Sequence, residues 1–166
     1  MTDPSKMRVT VRGKMTAVSS TPVKPGKTYP LSVLDHLMAC HHLRLVFYYN
    51  PSQSVDSENL RDSLSDVLSY YPAITGRLKR AEDGNWEVKC TDAGVRVLEA
   101  TVDCTLDEWL RSAHASQEQD LTHWEDLPED PYIWSPFYIQ LKNPFKTGWV
   151  SSQALDFGVL SKSEAI

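Results

Sequence analysis

The sequence has few cysteines and no long hydrophobic run. Its three cysteines form no Cys-x-x-Cys pair, which excludes a disulfide-rich secreted scaffold. No window approaches the roughly 18 apolar residues that a membrane-spanning helix requires. The first 30 residues carry scattered charge and lack the apolar segment of a signal peptide. These absences predict a cytoplasmic protein without a membrane span.

Basic charge is also scarce. The 17 Lys and Arg residues are outnumbered by 22 Asp and Glu residues, which gives a formal net charge of −5. Proteins that bind nucleic acid concentrate basic side chains on one surface, and this sequence contains no basic run. We therefore expect no nucleic acid among its partners.

Glycine is present but never clustered. The seven glycines stand singly, so the sequence can form neither a Gly-x-Gly-x-x-Gly dinucleotide turn nor a phosphate-binding loop. The Gly-x-Ser-x-Gly motif of many hydrolases is absent as well. The sequence therefore lacks the motifs of dinucleotide-binding enzymes, of phosphate-loop enzymes and of Gly-x-Ser-x-Gly hydrolases.

What is present resembles the average soluble domain. The 166 residues are 41% hydrophobic and 23% charged, which predicts a single domain whose core needs no disulfide or structural metal. Period-2 and period-3.6 patterns alternate along the chain and predict a mixed α/β fold. Strands are expected at 7–11, 43–49, 95–98 and 136–141, with a hairpin over 76–89.

Three helices are expected, and two of them begin with a capping box. These boxes are formed by Ser32 with Asp35 and by Thr105 with Glu108. The third helix, from about 56 to 70, has an apolar face of Leu60, Leu64, Val67 and Leu68. Residues 114–131 are acidic and aperiodic, which predicts an exposed connection, and residues 142–166 are interpreted as a mobile tail.

Histidines supply the densest group of candidate ligands. The cluster consists of His36, Cys40, His41 and His42, in which the first two share a helical face at i, i+4. No second Cys/His pair stands at zinc-finger spacing, so helix-end and core histidines are favoured and no metal is predicted. A structural Cys40 is likewise favoured over a nucleophile with Asp35 and His42. The acidic surroundings of His123 predict that it is solvated.

Several segments, in this order, resemble the amino-terminal part of the plant BAHD acyltransferases. They are LSVLD at 31–35, the strand at 45–49, SLSDVLSYYPAITGRL at 63–78, VKCTDAGVRVLEA at 88–100 and SPFYIQ at 135–140. The resemblance extends over about residues 7 to 141. It implies a chloramphenicol acetyltransferase-like mixed sheet with packed helices, of which the chain holds the first domain only. That domain, residues 1–141, is expected to be incomplete and to be followed by the divergent tail at 142–166.

The resemblance also implies an activity. The family transfers an acyl group from a coenzyme A thioester to a hydroxyl or amine. Small-molecule acyl donors and acceptors are therefore implied, with acyl-coenzyme A as a co-substrate and no bound cofactor.

The family's general base is a histidine in a His-x-x-x-Asp motif, and a base of this kind contributes about 10² to 10⁴ in rate. None of the five histidines here is followed by Asp at the fourth position. The motif would belong shortly after residue 141, where Lys146-Thr147-Gly148-Trp149 departs from the family pattern. We therefore expect no catalytic residue and a chain truncated before the motif, inactive without the base and the second domain.

The resemblance also suggests where substrate would bind. By analogy with one wall of the family's active-site channel, His42, Leu45 and Phe47 are expected to face the acceptor pocket. Core packing remains the alternative for Leu45 and Phe47. A domain without its neighbour should expose an apolar face, which favours self-association or a protein partner.

Two alternatives to an acyltransferase lineage stay open at this point. The first is a non-catalytic binding or regulatory protein that acts on an acyl-processing partner, such as one of acyl-chain elongation. The second is a product without a selected function. A shared fold cannot decide among these, because function resides in the site.

Overall fold

The protein is described by a computed structural model that covers residues 9–38, 42–49, 57–112, 114–123, 125, 128, 130–145 and 148–156. In chain order its elements are β1 (Val9–Ala17), β2 (Thr28–Pro30), α1 (Val33–Leu37), β3 (His42–Tyr49), α2 (Ser57–Tyr70), β4 (Arg77–Arg80), β5 (Trp86–Lys89), β6 (Val95–Val102), α3 (Leu106–Ser112), α4 (Ala115–Glu118), β7 (Phe137–Phe145) and β8 (Gly148–Asp156). Short 3-10 helices span Gln119–Leu121 and Pro131–Ile133.

The larger sheet has five strands in the order β1-β6-β7-β8-β3. Strands β6 and β7 run parallel, whereas the other neighbours are antiparallel. The sequence-based prediction of a mixed α/β fold is therefore confirmed. Strands β1 and β3 form the two edges of this sheet among the described residues.

The smaller sheet is antiparallel and has the order β2-β5-β4. The predicted hairpin is present as β4 and β5, and its turn contains Gly84 at a φ of 84°. Glycine suits this position because a Cβ disfavours positive φ. The short strand β2 was not predicted, and it pairs with β5 from Thr28 to Pro30.

Helix α2 covers one face of the larger sheet. Leu68 is buried there against Val97 and Ile139, and Leu64 is partly buried in the same cluster. The predicted apolar face is correct at these two leucines and wrong at Val67, which is exposed. Residue 67 follows 64 by three positions but lies at the margin of the stripe, where the sheet does not reach it.

The opposite face of the sheet is covered by the chain from Cys104 to Leu121. Trp109 and Leu121 are buried there against Val102 of β6, with Val46 of β3 partly buried beside them. The expected exposed connection at 114–131 is therefore wrong at Leu121, which has no accessible surface. A single buried leucine in a polar segment produces no periodic pattern, so the sequence did not predict its burial. Its packing is nevertheless enough to hold this part of the segment against the sheet.

Both predicted capping boxes are present. The Ser32 Oγ accepts from the Asp35 backbone N–H at 3.3 Å, and the Asp35 carboxylate accepts from the Ser32 N–H at 2.7 Å. Thr105 and Glu108 repeat this exchange at the start of α3. Each box satisfies backbone donors that a helix start leaves without an intrahelical partner.

The structure places two stretches of the predicted tail at 142–166 in strands, namely 142–145 at the end of β7 and Gly148–Asp156. The second stretch forms β8, which lies between β7 and β3 and pairs with both. A strand with neighbours on both sides is held by backbone hydrogen bonds from each of them, so its own sequence need not show a strong strand pattern. Residues 146–147 and 157–166 lie outside the described residues.

Candidate functional site

Strand β3 presents an apolar face at the edge of the larger sheet. Leu43, Leu45 and Phe47 alternate along it, and they are 46%, 36% and 42% exposed. Val46 and Tyr48 alternate with these residues along the strand and pack into the cluster around Trp109. The strand is therefore anchored through one face and accessible on the other.

Tyr48 secures this strand through hydrogen bonds as well as packing. The Trp109 Nε1–H donates to the Tyr48 Oη at 3.3 Å, and that hydroxyl donates to the Glu118 carboxylate at 3.5 Å. Burial raises the pKa of the Tyr48 phenol above its ordinary value. The phenol thus stays neutral and acts as a structural donor and acceptor between β3 and the helices α3 and α4.

His42 is the third residue expected at the acceptor pocket, together with Leu45 and Phe47. Its backbone lies in register with Asp156 at the start of β3, and its side chain lies outside the described part of the chain. Leu45 and Phe47 are two residues apart, whereas His42 is three residues from Leu45. Alternation in a regular strand groups Leu45 with Phe47 on one face, and the expectation for His42 stays a prediction.

Helix α1 carries a second apolar surface. Its stripe consists of Val33, Leu34, Leu37 and Met38, all of them exposed, and the helix has no buried residue. We call this stripe and the exposed β3 side chains Leu43, Leu45 and Phe47 the α1/β3 surface. Only three residues separate the end of the turn after α1 from the start of β3, so the two parts lie close together along the chain.

The α1/β3 surface presents apolar side chains, and Asp35, whose carboxylate is held by the capping box, and His36 lie on the same helix α1. The sequence analysis selected Leu45 and Phe47 but missed Leu43, which the same alternation would have included. It also missed the stripe of α1, although the spacing of residues 33, 34, 37 and 38 is typical of one helical face. What the pattern could not show is that this face is exposed.

A polar cluster lies on the sheet face that is remote from α2. The Tyr138 hydroxyl of β7 donates to the Glu125 carboxylate, which also pairs with the Lys14 Nζ of β1 at 3.4 Å. The His123 ring lies 5.3 Å from the Tyr138 ring, centroid to centroid, and its buried Nε2 has no hydrogen-bond partner. The prediction that His123 is solvated is therefore wrong, since it is half-buried beside a buried tyrosine.

The protonation states of this cluster are those of a structural network. Burial lowers the pKa of His123, and the hydrogen bond from Tyr138 lowers the pKa of Glu125. Burial raises the pKa of Tyr138, with the Glu125 carboxylate acting in the same direction. At neutral pH these shifts favour a neutral histidine, a charged glutamate and a neutral phenol, so they provide no group poised to exchange a proton.

Acidification should destabilise the fold through His123. Because its folded pKa is lowered below the ordinary 6.5, the unfolded chain binds protons more readily below about pH 6.5. The stabilising effect is therefore fully present above that pH and is lost as the pH falls. Urea unfolding at pH 7.5 and 5.5 measures this loss. His123→Gln, which does not titrate, should lose less stability between the two pH values, and an equal loss in both proteins would contradict the assignment.

The described residues contain no group of three side chains suited to a metal ion. His36 lies in α1 and His42 begins β3, whereas Cys40 and His41 lie outside the described residues. Cys90 and Cys104 are buried free thiols, and burial raises the pKa of Cys104 to about 11. Such a thiol is protonated at neutral pH and is a poor nucleophile.

Within the described part of the chain, no helix combines the length and apolarity needed to cross a membrane.

The comparisons with known proteins identify the family. The family model described as the Transferase family matches residues 7–152, which is most of the chain. The chain belongs to this family, the BAHD acyltransferases. The match continues past residue 141 and into β8.

Two relatives illustrate the range of the match. Protein ECERIFERUM 26-like of Arabidopsis thaliana is 31% identical over 128 residues, which are 76% of this chain and 30% of that protein. Shikimate O-hydroxycinnamoyltransferase of Nicotiana tabacum is 30% identical over 146 residues, covering 83% of this chain and 33% of the relative. The chain thus spans about a third of the length of these two relatives.

The fold of the chain is also found in a solved structure. Vinorine synthase aligns with a TM-score of 0.71 and 20% sequence identity, over 89% of this chain and 38% of that enzyme. At this identity the likeness concerns the fold alone. It agrees with the mixed sheet and packed helices described above.

Proposed function

We propose that the chain provides part of the substrate channel of a BAHD acyltransferase, with the α1/β3 surface as one apolar wall. The family acts on small-molecule acyl donors and acceptors, and acyl-coenzyme A is the co-substrate that this proposal assigns. The observation that supports the wall most directly is the exposure of Leu45 and Phe47 on one face of a strand whose other face is firmly packed.

The second part of the proposal is that these 166 residues do not catalyse acyl transfer by themselves. They contain no His-x-x-x-Asp sequence. His123, which lies in the cluster with Glu125 and Lys14, has a buried Nε2 and is held against Tyr138. A nitrogen without solvent access cannot take a proton from an incoming hydroxyl or amine.

A thiol-release assay tests the second part. The purified chain is incubated with acetyl-coenzyme A or a hydroxycinnamoyl-coenzyme A and an alcohol acceptor, and free coenzyme A is followed with a chromogenic reagent. We expect release at the uncatalysed rate, since a missing general base alone removes about 10² to 10⁴ in rate. The tobacco shikimate O-hydroxycinnamoyltransferase serves as the positive control. Turnover that is abolished by His42→Ala would contradict the proposal by assigning a base to this chain.

The apolar wall is tested by ligand binding rather than turnover. Cinnamyl alcohol, an apolar molecule with an acceptor hydroxyl, is titrated into the chain and followed by NMR. Phe47→Ser should weaken binding about tenfold, because burying a large apolar side chain contributes roughly 1.5 to 3 kcal/mol and this one is already partly covered. Val11→Ser is the matched control, since Val11 is exposed on the opposite edge strand β1. Equal affinities for all three proteins would refute the wall.

A non-catalytic binding or regulatory role is the alternative, and one observation favours it. The exposed side chains of α1 and β3 are mainly apolar, and the described part of the chain contains no His-x-x-x-Asp sequence beside them. In that case the chain would act on an acyl-processing partner instead of turning over substrate. Buried, unpaired Cys90 and Cys104 are compatible with a reducing compartment, and a cytoplasmic location is part of either proposal.

A further inference from the structure

The loop between β1 and β2, residues 18–27, contains the sequence Thr21-Pro22-Val23-Lys24. A hydroxyl residue followed by proline, with a basic residue at the third position after the hydroxyl, is the pattern that proline-directed protein kinases select. A recognition pocket without a hydrogen-bond acceptor disfavours a backbone N–H and accepts proline, and the basic residue adds charge complementarity. Residues 22–24 belong to no helix or strand, so no element has to unfold before a kinase binds them in extended form.

The structure distinguishes the two Ser/Thr-Pro dipeptides that the sequence contains. The first begins with Thr21, whose side chain is exposed, as is the proline after it. The second begins with Ser135, which is buried and donates its hydroxyl to the Phe137 carbonyl oxygen at 2.9 Å. No basic residue stands three positions after Ser135. Thr21 therefore combines suitable flanking residues with an accessible hydroxyl, whereas Ser135 lacks both the basic residue and the access.

We propose that Thr21 is a phosphorylation site for a proline-directed protein kinase, and that the phosphate weakens the attachment of this loop to α2. In the reaction the Thr21 Oγ1 forms a bond to the γ-phosphorus of a nucleoside triphosphate. The bond from that phosphorus to the β–γ bridging oxygen breaks, the nucleoside diphosphate leaves, and the hydroxyl proton passes to the base of the kinase. This inference goes beyond the proposed function and does not depend on acyl transfer.

The attachment of the loop to α2 consists of hydrogen bonds to the last turns of that helix. The Ser20 N–H donates to the Ser65 carbonyl oxygen and the Thr21 N–H donates to the Ser69 Oγ, each at 3.0 Å. The Ser69 hydroxyl in turn donates to the Ser65 carbonyl oxygen at 3.2 Å. A phosphate on Thr21 would therefore lie near the C-terminal end of α2, where the helix carbonyls carry partial negative charge and where Asp66 adds a carboxylate. Repulsion there opposes both N–H contacts.

A kinase reaction in vitro tests the site. The purified chain is incubated with a cyclin-dependent kinase, ATP and Mg²⁺, and mass spectrometry locates the phosphate. We expect it on Thr21 and not on Ser135. Pro22→Ala should slow the reaction about tenfold or more, because it places an N–H in a pocket that offers no acceptor, and Lys24→Ala should also slow it. Pro25→Ala is the matched control, since it makes the same change on an exposed proline outside the pattern.

Two results would overturn the site. The first is a chain that carries no phosphate on Thr21 after the reaction, and the second is a Pro22→Ala variant that is phosphorylated as fast as the Pro25→Ala control.

Amide exchange tests the effect of the phosphate on the loop. The Ser20 and Thr21 N–H groups should exchange about three- to tenfold faster in the phosphorylated chain, because an anion near a helix C-terminus is unfavourable. Ser69→Ala removes the acceptor of the Thr21 N–H without adding charge, and it shows how large the increase is for a detached loop. Amides of β6 should be unchanged, which separates local loosening from unfolding. Unchanged or slower exchange at Ser20 and Thr21 would refute the weakened attachment.

Discussion

Trp109→Ala should reduce the free energy of unfolding by about 3 to 5 kcal/mol, the range for deleting a large buried aromatic side chain. Trp109 is 1% exposed and lies at the centre of the cluster between α3 and the larger sheet. Its removal leaves a cavity there and also removes the hydrogen bond from its Nε1–H to Tyr48. Because Tyr48 anchors β3, the variant should loosen the strand that carries Leu45 and Phe47.

Urea unfolding followed by circular dichroism measures the overall loss, and amide exchange in β3 measures the local one. Trp109→Phe is the matched control, since it keeps most of the apolar volume and removes only the indole donor. Trp109→Phe should reduce the free energy of unfolding by about 1 to 2 kcal/mol. If the alanine variant lost no more stability than the phenylalanine variant, Trp109 could not be the anchor of this layer.

Arg77→Met should reduce the free energy of unfolding by about 3 kcal/mol or more, although methionine keeps an unbranched side chain that can fill much of the same space. Arg77 is 4% exposed, and its guanidinium donates to backbone carbonyl oxygens on two segments. Nη1 lies 2.7 Å from the Gly76 oxygen and 2.9 Å from the Gly94 oxygen, and Nη2 lies 3.1 Å from the Ala93 oxygen. Methionine would leave these acceptors without the charged donor that now satisfies them.

The turn at Gly94 leaves its backbone little room to move, so the carbonyl oxygens that lose the Arg77 donor cannot easily shift toward other donors. Gly94 has a φ of +78°, and a Cβ there would lie 2.4 Å from the Ala17 backbone oxygen. The backbone is thus already confined beside β1. Burial lowers the pKa of Arg77, with Arg96 acting in the same direction, but an arginine remains charged at neutral pH.

Thermal unfolding provides the measurement for Arg77. For a domain of this size a loss of about 3 kcal/mol corresponds to a decrease in melting temperature of about 6 to 12 °C. Arg80→Met is the control because Arg80 lies on the exposed end of the same strand, over the Trp86 ring. A change of similar size in both variants would show that charge in general, rather than the buried carbonyl network, is responsible.

Local patterns were sufficient to predict most of the individual elements. The capping boxes at Ser32 and Thr105 located the starts of α1 and α3, because the stabilising groups are only three residues apart. The Asp-Gly turn and the alternation around it located the β4–β5 hairpin for the same reason. Linked motifs across most of the chain also predicted the family, which the family model confirms.

Part of the candidate site was predictable as well. Alternation in β3 places Leu45 and Phe47 together, and the same rule adds Leu43. The strand pattern could not show which face remains open, because that depends on α3 and α4 covering the side of Val46 and Tyr48. The exposure of the α1 stripe is decided in the same way, by the absence of a described neighbour against it.

Local signals in the amino-acid sequence were sufficient to predict most of the elements, and the linked motifs were sufficient to predict the family. The place of Gly148–Asp156 inside the sheet depends on tertiary structure, since β7 directly precedes it whereas its other hydrogen-bonding partner, β3, lies far earlier in the chain. The tertiary structure also decided that His123 and Glu125, in an acidic and aperiodic segment, lie against Tyr138 and Lys14. In both cases at least one stabilising contact comes from a distant part of the chain, namely β3 for β8 and Lys14 of β1 for Glu125.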